Sequence, residues 1–238
     1  MEPLHSHPDT ALSEYHGGFT LVELLVVLSI IVVITGIVIT SQSSFNKTLI
    51  LANTAYDVAL SIRSAETYGV GSRAVGGMAN VGHGVHFVIG NTFTLFADTY
   101  PAPNDQNCHG LPNDDPSRPD AQPGDCVYEA AQGERVMDYT IGNGITITDI
   151  CVLNSVSNSW TCTYAHPGAS AGLSSADIVF SRPNSDVFIS RGMGGSPTQY
   201  SSSLVAVCIS LSSPQGGSPR FVTVASSGNI APNALSCP

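Results

Sequence analysis

Apolar side chains occupy 16 of the 22 positions from Phe19 to Thr40 and leave no polar face, a pattern that suits a helix surrounded by apolar material on every side. Beyond Thr40 the pattern changes without a breaker. Phe45, Leu49, Ala52, Tyr56, Ala59 and Ile62 recur at three- and four-residue spacing and predict one buried stripe on a continuing helix. Gly69 and Gly71 supply the stop, so a single helix ending near Tyr68 is expected, apolar all round over 19–40 and amphipathic over 41–68. Twenty-two helical residues span about 33 Å, enough to cross the hydrocarbon core of a bilayer.

After "GVGSRAVGGMANVG" the period falls to two. "HGVHFVI", "TFTLFA", "RVMDYTI", "GITITDICV", "SWTCTY", "ADIVFSR", "DVFIS", "SSLVAVCISL" and "RFVTVAS" read as strands between turn-forming Gly, Asn, Pro and Ser. With no helical pattern between them, residues 69–238 are expected to form an antiparallel sheet head on the amphipathic half of the helix, an α+β arrangement. Six prolines between Tyr100 and Cys126 predict a long surface loop.

Composition agrees with short strands and tight turns, since charged residues make up 11% of the chain against about 25% in an average soluble domain. The formal charge of -10 sets up a field that repels phosphate backbones, and the eight Lys and Arg are scattered singly. Nucleic acid is therefore not an expected partner.

The six cysteines, Cys108, Cys126, Cys151, Cys162, Cys208 and Cys237, all follow the apolar run. An even number in an exported head points to disulfides, and of fifteen possible pairings local closure favours Cys108 with Cys126, Cys151 with Cys162, and Cys208 with Cys237. Neither CxxC nor HxxxH occurs, so no metal is expected.

Glu23 is the one charge in the apolar run. The surrounding residues contribute about -5 to -10 kcal/mol to insertion against about +3 for a mid-membrane charge, so the segment inserts despite it. The eighteen residues before Phe19 hold no Lys or Arg and three acids, Glu2, Asp9 and Glu14, unlike the basic start of a secretory signal.

"GGFTLVELLVVLSIIVVITGIVI" resembles the prepilin N-terminus shared by type IV pilins and the pseudopilins of type II secretion: Gly18 directly before Phe19, Glu23 five positions into the mature chain, and the apolar helix after the cut. The resemblance implies a pilin-like fold and a leader peptide at 1–18. Prepilin peptidase would cut between Gly18 and Phe19 and methylate the new amino group of Phe19. A head facing the extracytoplasmic side of the inner membrane would hang from a single-pass helix. Partners would be sister subunits, the peptidase and an inner-membrane assembly platform. Glu23 would take part in assembly. "ADIVFSRPNSDVFI" and "RFVTVASSGNI", closed by Gly228, are also similar to segments of the GspH/FimT group. Two other classes stand beside this one: a DNA-binding FimT-like minor pilin, which the acidic balance disfavours, and a signal-anchored surface protein that never polymerises. Tyr15 and His16 occupy positions where such leaders usually carry Lys or Arg. Loss of the leader would remove three acids and leave 15 against eight bases.

The remaining candidates have plain readings. Asp105, Asp114, Asp115, Asp120 and Asp125 crowd the proline-rich loop, and segment 104–125 resembles the oxygen-rich loops in which some pseudopilin heads hold calcium; without EF-hand spacing, a solvated loop and no cofactor are expected. His83 and His86 fall on opposite faces of a strand, and His5 and His7 lie in the leader. "GMGGSP" from Gly192 lacks the Lys of a phosphate loop and reads as a turn. Trp160 is assigned to local packing, and with no GxSxG elbow the chain is not expected to be an enzyme.

Overall fold

The computed structural model describes residues 18–71, 73–78, 80–100, 124–182, 186–194, 196–234 and 236–237, without the side chains of 40–45 and 233. The expected leader with His5, His7, Tyr15 and His16, as well as Cys108, Asp105, Asp114, Asp115 and Asp120, lies outside the described residues. The chain divides into two compact units, Met1–Ser43 and Ser44–Pro238.

The first unit holds the beginning of α1 (Leu21–Val70). Every described residue from Gly18 to Ile39 is exposed there. Leu21–Ile39 is long and apolar enough to cross a membrane. At 1.5 Å per residue its nineteen residues rise about 28 Å, close to the thickness of a hydrocarbon core.

Among its described residues the second unit contains the rest of α1 and twelve strands: β1 (Gly82–Val88), β2 (Thr92–Asp98), β3 (Arg135–Thr140), β4 (Thr146–Asn154), β5 (Ser159–Cys162), β6 (Ala169–Ala171), β7 (Leu173–Phe180), β8 (Val187–Met193), β9 (Ser196–Tyr200), β10 (Leu204–Ser212), β11 (Arg220–Ala225) and β12 (Ile230–Ala234). The α+β class with a long N-terminal helix is therefore present, but the head has two six-stranded sheets. Their orders are β3-β2-β1-β7-β8-β9 and β12-β11-β10-β4-β5-β6. Among the described pairs β5 and β6 run parallel, with Trp160 beside Ala169, and the others are antiparallel. Strand alternation makes one face of each sheet apolar, and periodicity alone does not say how many sheets share those faces.

Both sheets contribute to one core. Phe87, Leu95, Ile178, Phe180 and Ile189 from the first meet Ile150, Val152, Val207, Ile209 and Val222 from the second, together with Leu51, Ala55, Val58, Ile62 and Ala65 of α1. The helix stripe thus differs from the expected one. Ala59 and Ile62 are buried, but Leu49 and Tyr56 are 44% and 52% exposed, and the side chain of Phe45 is not described. Two rows of residues satisfy helical spacing here; burial follows the one whose alanines let the backbone approach the sheets and which places no phenol in the core. Gly69 marks the close approach, because a Cβ there would overlap the backbone of Phe180.

Candidate functional site

The N-terminal segment is built around the start of α1. Thr20 Oγ1 accepts a hydrogen bond from Glu23 N at 3.2 Å, and Thr20 O accepts from Leu24 N at 3.1 Å. Thr20 therefore caps the helix, in the T-x-x-E order that satisfies amides otherwise unpaired in the first turn. Glu23 lies in that first turn, where the partial positive charge of the helix end favours a carboxylate. Gly18 and Phe19 precede the helix, and Phe19 is 82% exposed. The bond after Gly18 thus lies outside regular structure, before the first helical turn, and an amino group created at Phe19 would sit one residue before the cap.

The outer face of the first sheet carries buried acids. Asp98, at the end of β2, accepts from Asp125 N at 3.0 Å and Cys126 N at 2.8 Å. A Cβ at Gly124, whose φ is +124°, would overlap the Asp98 carboxylate, so the loop comes in tightly there. Glu134 Oε1 accepts from Thr99 N and Tyr100 N, both at 2.9 Å, while Oε2 accepts from Glu129 N at 2.8 Å. Asp177 of β7 accepts from Tyr128 N at 3.1 Å. These carboxylates grip both arms of the segment that contains the proline-rich loop. Burial, aided by Glu134 and Asp125, raises the Asp98 carboxyl well above its ordinary value. Burial also pushes Glu134 up to about 7 against three backbone hydrogen bonds, and Asp125 up to about 6. Asp125 Oδ1 caps its own turn by accepting from Val127 N at 3.0 Å.

The two strand histidines are separated by the sheet. His83 is buried with Nδ1 3.2 Å from Val81 O and its ring edge-on to Tyr68, and burial is the main cause lowering its pKa. His86 projects from the other face toward Asp177. The stretch from Gly192 closes β8 onto β9, with Gly194 N donating to Gly172 O at 3.1 Å.

Disulfides join Cys151 to Cys162 and Cys208 to Cys237; Cys126 is also disulfide-bonded. Cys208, Cys151 and Cys162 share one rung across β10, β4 and β5, and Trp160 and Phe221 pack on this cysteine cluster. Beside this rung lies a constellation that the sequence reading missed. Donor atoms of Asp149, Cys151, Cys162 and His166 all lie within 4.8 Å of one another. No contiguous metal motif announces it, because strand pairing sets the distance between residues 151 and 162. The only sequence signal is two short spacings, D-x-C at 149–151 and C-x3-H at 162–166.

Residues 15–39 match the family described as "Prokaryotic N-terminal methylation motif". No curated protein and no solved structure matches the chain. The motif supports a place in the type IV pilin and pseudopilin family, whose members are structural, and implies processing by prepilin peptidase and assembly with other pilins.

Proposed function

We propose that this chain is the precursor of a structural subunit, a pilin or minor pseudopilin, of a type IV pilus or a type II secretion pseudopilus. Residues 1–18 are the leader. Prepilin peptidase cuts after Gly18 and methylates Phe19. Residues 19–40 anchor the subunit in the inner membrane and later bundle with sister helices, 41–68 carry the helix into the head, and 69–238 form the extracytoplasmic head. The match over residues 15–39 carries this reading. Two strand pairs support the GspH/FimT subgroup within it: β7 with β8, joined through a polar stretch of sequence after Phe180, and β11 with β12, closed by Gly228 at φ +83°.

Physical chemistry gives Glu23 its role. A carboxylate enclosed by apolar helices needs a cation, and the amino group freed at Phe19 of a neighbouring subunit is the charge nearest the same level of the fibre. That ammonium is itself poorly placed at the positive end of its own helix, so a neighbour's carboxylate relieves both groups. Removing one partner leaves the other buried and unpaired, which penalises wrong axial offsets even if the pair adds little net stability.

Mass spectrometry of the mature N-terminus is the test. An N-methylated Phe19 is expected, and an intact Met1 overturns the reading. Glu23→Val should still insert into the membrane while losing incorporation into sheared fibres; undiminished incorporation removes the role given to Glu23.

A further inference from the structure

Asp149 and Cys151 are two residues apart on β4, so both side chains leave the face opposite Ile150 and Val152. Cys162 faces Cys151 across the β4–β5 pair. After β5 the chain turns back, Thr163 N donating to Ile150 O at 2.9 Å and His166 exchanging backbone hydrogen bonds with Ala169 at 3.4 and 3.0 Å. This turn places His166 Nε2 2.5 Å from Asp149 Oδ2, which is also 3.5 Å from Cys151 Sγ. Tyr164 N at 3.3 Å holds the other carboxylate oxygen, Oδ1, leaving Oδ2 for the cluster.

We propose that the Cys151–Cys162 disulfide masks a four-ligand site: once reduced, Cys151, Cys162, His166 and Asp149 bind zinc or a similar soft divalent cation. Tetrahedral zinc, at about 2.3 Å from sulfur and about 2.0 Å from nitrogen or oxygen, sets its ligands about 3.3 to 3.8 Å apart. The four donors lie within 4.8 Å of one another in the oxidised head, so ligation requires the freed sulfurs to part and the widest pairs to close by about an ångström. Two thiolates with an imidazole and a carboxylate form a donor set suited to zinc rather than calcium or magnesium. Asp149, Cys151 and Cys162 are buried, which excludes competing water, while the His166 side chain is 37% exposed and gives the ion a way in.

The two occupants are mutually exclusive, because a sulfur bonded to sulfur has no thiolate charge to offer. A dithiol reductant supplies two electrons and two protons, breaks the S–S bond and becomes a cyclic disulfide, leaving two protein thiols. Cation binding then releases one proton from each thiol to solvent, and His166 binds through Nε2 in its neutral form. The ion replaces the cross-strand bond with another link between β4, β5 and the returning turn, so it keeps the edge of the second sheet closed in the reduced head.

The experiment uses the full chain in detergent micelles with cobalt(II) as the probe. Reduction is by a water-soluble phosphine, which becomes its oxide with oxygen from water and is removed anaerobically. The oxidised protein should take up no cobalt. The reduced protein should bind one equivalent, with sulfur-to-cobalt charge transfer and tetrahedral visible bands that zinc displaces. Cys208→Ser/Cys237→Ser should behave the same way, whereas Cys151→Ser/Cys162→Ser should lose the spectrum. His166→Ala and Asp149→Ala should each weaken binding at least about tenfold. The proposal is overturned if reduced protein takes up no cobalt, if binding survives in Cys151→Ser/Cys162→Ser, or if binding disappears in Cys208→Ser/Cys237→Ser.

Discussion

His86 Nδ1 and Asp177 Oδ1 lie 2.5 Å apart across the rung that pairs β1 with β7. Asp177 is fully buried and spends its other oxygen on Tyr128 N, so one side chain joins the sheet to the segment that covers it.

Asp177→Ala is therefore expected to destabilise the head by about 3 kcal/mol, since the Tyr128 amide and the His86 ring both lose their acceptor. Chemical denaturation followed by near-ultraviolet circular dichroism measures it. A loss below about 1 kcal/mol would mean that the buried pair is not holding the covering segment.

Acid should stabilise this region. Glu134 titrates at about 7 when folded, and Asp125 at about 6, with burial the leading cause for both. Because these values lie above those of the unfolded chain, the folded head holds more protons between about pH 4.5 and 7, so its stability falls as pH rises through that window. The buried Asp98 acts in the same direction. The expected melting temperature is higher at pH 5 than at pH 8, and Glu134→Gln should narrow the gap. A wild-type melting temperature that climbs from pH 5 to pH 8 would contradict the assignment.

On α1, Ile62→Ala should cost about 2 to 5 kcal/mol, the range for emptying a packed aliphatic site. Leu60→Ala, at a position 63% exposed, should stay within about 0.5 kcal/mol. Equal costs from parallel denaturation curves would show that the buried face is misplaced.

Gly69→Ala is expected to destabilise the head by about 1 to 3 kcal/mol despite the better helix propensity of alanine, because the added methyl meets the Phe180 backbone, which cannot rotate away as a side chain does. A thermal melt of the head should fall for Gly69→Ala, and a melting temperature equal to that of the wild type would contradict the close approach at Phe180.

The long helix and the inner strands were legible because burial imprints a period on them. β6, β9 and β12 left no such imprint: each is an edge strand, β6 is only Ala-Ser-Ala, and Pro197 and Pro232 interrupt the other two. Leu49 and Tyr56 misled because spacing fixes a stripe only up to its neighbour, and the choice depends on what packs opposite. The N-terminal motif was readable for the opposite reason, that Gly18, Phe19, Thr20 and Glu23 act within six residues of chain. The Asp149 and His166 cluster is assembled by strand pairing and a returning turn, neither of which sequence order reveals.

Glu134 holds the amides of Thr99 and Tyr100 on one side of segment 101–123, and Asp98 holds those of Asp125 and Cys126 on the other. A bond to a backbone amide does not read the side chain of the residue that donates it. The two strands thus act like the posts of a clasp: the distance between the ends of the segment is set by the sheet beneath, which carries Asp98 at the end of β2 and Glu134 just before β3.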